Sequence, residues 1–131
     1  MGTWSSKAGL TTARNSHCGF GTVGTAVICI CGTNTSGTKL KSMEKWNGTA
    51  WSAGVDYTNT CGILIGSGSS TDGIAGTGRS NGTIYQDTYK WNGTAWSSGG
   101  NIGVTRRGGG SGTNGLGSGG ALFLGGYDNS T

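Results

Sequence analysis

Apolar residues come in short bursts along the chain, such as Ala26 to Cys31, Ile63 to Ile65 and Ala121 to Leu124, with Gly, Ser, Thr and Asn between them. No burst has the length or the 3.6-residue recurrence of an amphipathic helix. The pattern instead predicts short strands of β-branched, aromatic or small residues, punctuated by turns. Because each burst is too small to make a core by itself, the bursts must be pooled.

Self-comparison organises these strands into units. KWNGTAWS occurs at Lys45 to Ser52 and again at Lys90 to Ser97, and GTWSS at Gly2 to Ser6 is a shorter third copy. Trp4, Trp51 and Trp96 therefore start three units, at offsets of 47 and 45 residues. With these Trp aligned, Arg14, Cys61 and Arg106 each fall ten residues downstream, at the start of a Gly-rich stretch. Further on, runs ending in Cys31-Gly32, Thr77-Gly78 and Gly125-Gly126 coincide, and LKSMEKWNG and IYQDTYKWNG lead into the Trp-Asn-Gly turns. Each unit is expected to hold about four strands. Asn47-Gly48 and Asn92-Gly93 predict tight two-residue type I′ hairpins, flanked by Trp46 and Trp51, or Trp91 and Trp96, packed against each other.

Composition supports an all-β fold. The chain has 30 Gly and no Pro in 131 residues. Interior Gly disfavours long helices, and without a Gly-x-y period or Pro there is no collagen helix. Nine Lys and Arg against five acids give a formal charge of +4, dispersed along the chain. That is too dilute for a nucleic-acid groove, so no nucleic-acid partner is expected. No apolar run is long enough to span a membrane as a helix, and the first residues lack the apolar stretch and cleavage site of a signal peptide. Membrane insertion is not expected.

A tandem unit of 40 to 50 residues with four strands is the pattern of a propeller blade. The residues resemble the kelch family: ALFLGG at Ala121 to Gly126 matches its Gly-pair strand, TYKW its aromatic strand, Trp96 its fixed Trp, and Arg106 and Arg14 its Arg. Cys31 and Thr77 depart from the Gly pair, and Cys61 from the Arg. The WNGTAWSSGGN version is also similar to kelch-like repeats of phage structural and tail-fibre proteins. The resemblance implies a β-propeller segment over residues 1–131, about three kelch-like blades in one domain, and a place on a virion or extracellular surface. The chain starts at the fourth strand of one unit and stops before the third unit's aromatic strand, giving eleven expected strands. Since known rings use about four to eight blades, completion by self-association is expected, with a homodimer of six blades favoured.

Candidate chemistry is sparse. His17 is the one His, no Gly-x-Ser-x-Gly elbow or phosphate loop is present, and the five acids are expected to serve as turn caps and surface charge. No enzyme activity and no cofactor are expected. Cys29 and Cys31, two apart on a strand, should share a face opposite His17 or Cys18. The readings are buried free thiols, a Cys18–Cys61 disulfide, or a Cys-Cys-His metal site; of these the first is preferred and no metal is assigned. The sequons at Asn34, Asn47, Asn81, Asn92 and Asn129 are read as turn chemistry. Trp46, Asn47, Trp51, Trp91, Asn92 and Trp96 are the candidate ligand-binding residues, because aromatic rings beside amides and hydroxyls suit sugars. A structural or host-attachment module, with other virion or surface proteins as partners, is the first expectation, and a lectin-like propeller the second.

Overall fold

A computed structural model describes residues 5–113 and 117–128. Trp4, the expected start of the first unit, lies outside them, as does Asn129. The fold is all-β and antiparallel. β1 (Cys18–Val23), β2 (Ala26–Ile30), β3 (Met43–Trp46) and β4 (Trp51–Ala53) form one four-stranded meander. β5 (Ile65–Gly68), β6 (Gly73–Gly76), β9 (Asp87–Trp91) and β10 (Trp96–Asn101) form a second, and β11 (Gly110–Thr113) pairs with β12 (Ala121–Leu124). The short hairpin β7 (Arg79–Ser80) and β8 (Thr83–Ile84), which the repeat does not announce, fills the connection from β6 to β9. Among the described residues none of the sheets closes on itself.

The internal repeat is legible in the backbone down to single dihedral angles. Cys31-Gly32, Thr77-Gly78 and Gly125-Gly126 all take two successive positive φ values, 59° and 99°, 62° and 95°, and 63° and 104°. Two of these six positions hold a side chain where Gly is the comfortable residue. Ser16, Ile63 and Gly108, spaced by 47 and 45 residues, likewise sit at φ 52°, 60° and 57°. Paired backbone hydrogen bonds recur beside them, joining Asn15 to Thr33, Gly62 to Arg79 and Arg107 to Tyr127 at 2.8–3.0 Å. The units are also strung together: Ile63 N donates to Ser16 O at 2.7 Å, and Gly108 N to Ile63 O at 2.9 Å.

The core lies between the first two sheets. Cys18, Phe20, Ile28, Ile30 and Met43 of the first sheet are buried and belong to one cluster with Ala75 and Trp91 of the second. Gly makes the contact close, because a Cβ at Gly66 would strike Cys18 Sγ and one at Gly73 would strike the Phe20 ring. Tyr57, from the link between units, fills the seam: its hydroxyl donates to Ala75 O at 3.1 Å, and its ring meets Tyr89 and Trp96 edge-on at 5.3 and 4.9 Å. Between the second and third units side-chain hydrogen bonds cross the contact, with Ser67 Oγ donating to Gly112 O and Ser111 Oγ to Gly66 O, beside Ile65, which lies against Gly109.

Candidate functional site

The repeated Trp-Asn-Gly-Thr-Ala-Trp segments place the candidate ligand residues at equivalent corners of the first two sheets. Trp46 pairs with Trp51, and Trp91 with Trp96, across the strands. The loop between them has four residues, so the expected two-residue type I′ turn is corrected. Only Gly48 and Gly93 adopt positive φ, at 97° and 94°. Asn acts through its side chain: Asn47 Oδ1 accepts from Thr49 N and Ala50 N, and Asn92 Oδ1 from Thr94 N and Ala95 N, all at 2.8–3.0 Å. An Asx acceptor that takes two amides fixes the loop without a left-handed Asn.

The rings pack as expected, with centroids 5.5 Å apart for Trp46 and Trp51 and 5.2 Å for Trp91 and Trp96. Every one of these indole N–H groups is engaged. Trp46 donates to Gly24 O, Trp91 to Ser70 O, Trp51 to Ala8 O and Trp96 to Val55 O. Trp91 is only 1% exposed, so its ring offers no stacking surface, and Trp96 lies against Phe20 and Tyr57. The first hairpin is more open. A groove of about 390 Å³ runs past Lys45, Trp46, Asn47, Ser52, Ser70 and Thr71, and a smaller one of about 260 Å³ lies between Trp46, Trp51 and Lys7. Polar groups beside one aromatic edge are what the structure brings together here.

The cysteines are free and buried. β2 ends at Ile30, and Cys31 has already turned away at φ 59°, so Cys29 and Cys31 do not share a strand face as expected. Gly19 stands opposite Cys29, and Cys18 opposite Ile30; His17 is exposed. The close thiols are Cys31 and Cys61, 3.8 Å apart, rather than Cys18 and Cys61. Burial pushes Cys18 up to about 12, with neighbouring thiols adding to it, and pushes Cys29 up to about 11 despite the opposing Arg14 charge. For Cys31 the hydrogen bond with Cys61 acts first and burial second, both upward. Protonated thiols of this kind are poor nucleophiles and poor metal ligands. Among the described residues, no group of three or more His, Cys, Asp or Glu is arranged to hold a metal ion.

The expectation that all acids are caps or surface charge fails at Glu44, which is 3% exposed. Arg14 explains it. Its enclosed guanidinium meets Glu44 Oε1 at 2.7 Å and donates to Cys31 O, Ser42 O and Ser42 Oγ, while Glu44 accepts from Thr11 N and Thr12 N. Spacing in the repeat singles out Arg14; Glu44 carries no signal, because its equivalent in the second unit is Tyr89, just as Cys61 replaces the Arg. Both positions are uncharged in the second unit.

The chain matches no protein-family model, and no curated protein matches it. Among the described residues, no helix is long and apolar enough to cross a membrane.

Proposed function

We propose that the chain is a segment of a kelch-like β-propeller that self-associates, most simply as a homodimer of six blades, and acts without catalysis as an assembly or host-attachment module on a virion or extracellular surface. The carrying observation is the repeated packing of unit on unit: the same backbone bonds link Ser16 to Ile63 and Ile63 to Gly108. Repeat arrays draw their stability from such neighbour contacts. Function on such a scaffold belongs to loops and faces rather than to the strands. Virion or surface proteins are the partners this reading assigns.

A second reading, a lectin-like module, is favoured by the groove beside Trp46, whose lining of Lys45, Asn47, Ser52, Ser70 and Thr71 suits sugar hydroxyls. A glycan array separates the two. The structural reading expects no saturable binding, whereas saturable binding that disappears with Trp46→Ala but persists in Asn92→Ala would replace it with the lectin reading.

A further inference from the structure

Two departures from the repeat meet in space. Arg14 and Arg106 each donate Nη1 to a carbonyl at the left-handed turn of their own unit, Cys31 O and Gly125 O, both at 3.0 Å. The second unit has Cys61 at the Arg position, and its short side chain reaches back instead, with its Sγ 3.8 Å from Cys31 Sγ at the turn of the unit before. Both sulfurs also converge on one acceptor, Asn59 O, at 3.6 Å from Cys31 and 3.5 Å from Cys61. A tie within a unit has become a contact between units.

The main chain holds the two residues in place. Gly32 N donates to Cys61 O at 3.0 Å, Cys61 N to Leu40 O at 3.2 Å and Leu40 N to Gly32 O at 2.8 Å. Both cysteines are 0% exposed and belong to the core cluster. A disulfide brings its sulfurs to about 2.05 Å, and the further approach is on the scale of a rotation about the Cα–Cβ bonds. Cys18 and Cys29 are placed differently: on the ladder of β1 and β2 they stand opposite Ile30 and Gly19.

We propose that Cys31 and Cys61 are a redox modification site, closing to a disulfide that joins the first unit to the second when a small-molecule disulfide, such as oxidised glutathione, accepts the electrons. One cysteine sulfur bonds to a glutathione sulfur, breaking the glutathione S–S bond and releasing one glutathione thiol. The second cysteine sulfur then bonds to the first and releases the other. Two electrons pass to the acceptor, and the two thiol protons end on the two glutathione molecules. Because the pair is buried, the acceptor reaches it only through local opening of the seam, so closure is slow in the folded chain and faster while the chain folds. The bond closes a loop that carries β3, β4 and Tyr57, which restricts the unfolded chain. The inference does not depend on how many units a ring contains or on what the assembly contacts.

The full chain, fully reduced, is incubated in a buffer of oxidised and reduced glutathione, and in parallel the urea-unfolded chain is refolded in the same buffer. Both are then denatured in acid, alkylated, weighed intact and mapped by tandem mass spectrometry. By either route a single-chain species is expected in which Cys18 and Cys29 carry the alkyl label and Cys31 and Cys61 are joined. Its melting temperature should lie above that of the reduced chain, and the difference should disappear on adding reductant. Cys18→Ser/Cys29→Ser should still close the bond, whereas Cys61→Ser should leave Cys31 free to be alkylated; the map of the unsubstituted chain decides even where a variant folds poorly. Four alkylated thiols by both routes, glutathione adducts without a protein disulfide, or a link that runs through Cys18, through Cys29 or between chains would overturn the proposal.

Discussion

A guanidinium and a carboxylate share the interior of the first unit because nearly every donor and acceptor on them is used. Removing one partner strands the other in a place from which water is excluded, at a cost of about 3–5 kcal/mol. Arg14→Cys is therefore expected to destabilise strongly, and the double variant Arg14→Cys/Glu44→Tyr, which copies the second unit, to cost less than the sum of its single changes; chemical denaturation of the four proteins measures the coupling. The carboxylate also predicts a pH dependence. Burial alone would raise Glu44, but hydrogen bonds from Thr11 and Thr12 and the Arg14 charge outweigh it and hold the group below the usual carboxylate range. A group depressed in the folded state stabilises above its unfolded value of roughly 4.3 and loses that contribution as pH falls through the folded value. The acid limb of a melting-temperature profile should accordingly be shallower in Glu44→Gln. Sequence reading reached Arg14 through its spacing, but not Glu44, because a lone acid among five has no periodicity to mark it.

At the scale of elements, the Trp-Asn-Gly-Thr-Ala-Trp hairpin was the clearest feature of the sequence, and its location and ring pairing follow from the repeat. Its turn geometry did not follow. Asn-Gly is compatible both with two left-handed residues and with an Asx acceptor followed by one left-handed Gly, and the two following residues decide between them by offering their amides to Asn Oδ1. Asn92→Ala removes that acceptor and should cost about 1 kcal/mol, whereas Asn92→Asp, which keeps an oxygen there, should stay close to the parent in denaturant midpoint. Gly93→Ala should lose about 1–3 kcal/mol through its positive φ. The hairpin β7–β8 was not legible, since its two-residue strands lie outside the repeated pattern.

Across the whole molecule, self-similarity carried most of the inference: unit length, the expectation of about four strands per unit and the alignment of Arg14, Cys61 and Arg106 all came from it. The identity of each seam did not, because it depends on which residues meet. Phe20 against Gly66 and Gly73 makes the first seam apolar, and Ser67 with Ser111 adds side-chain hydrogen bonds to the second. The free cysteines belong to the same lesson: Cys31 and Cys61 come together only because Cys31 leaves its strand at a left-handed residue. The account's central claim is that these units continue their packing from one chain to the next until a ring closes. Light scattering measures this most directly, as molar mass over a hundredfold range of protein concentration. A mass of two chains throughout is the result expected for the closed six-blade ring; a mass of one chain at every concentration contradicts it.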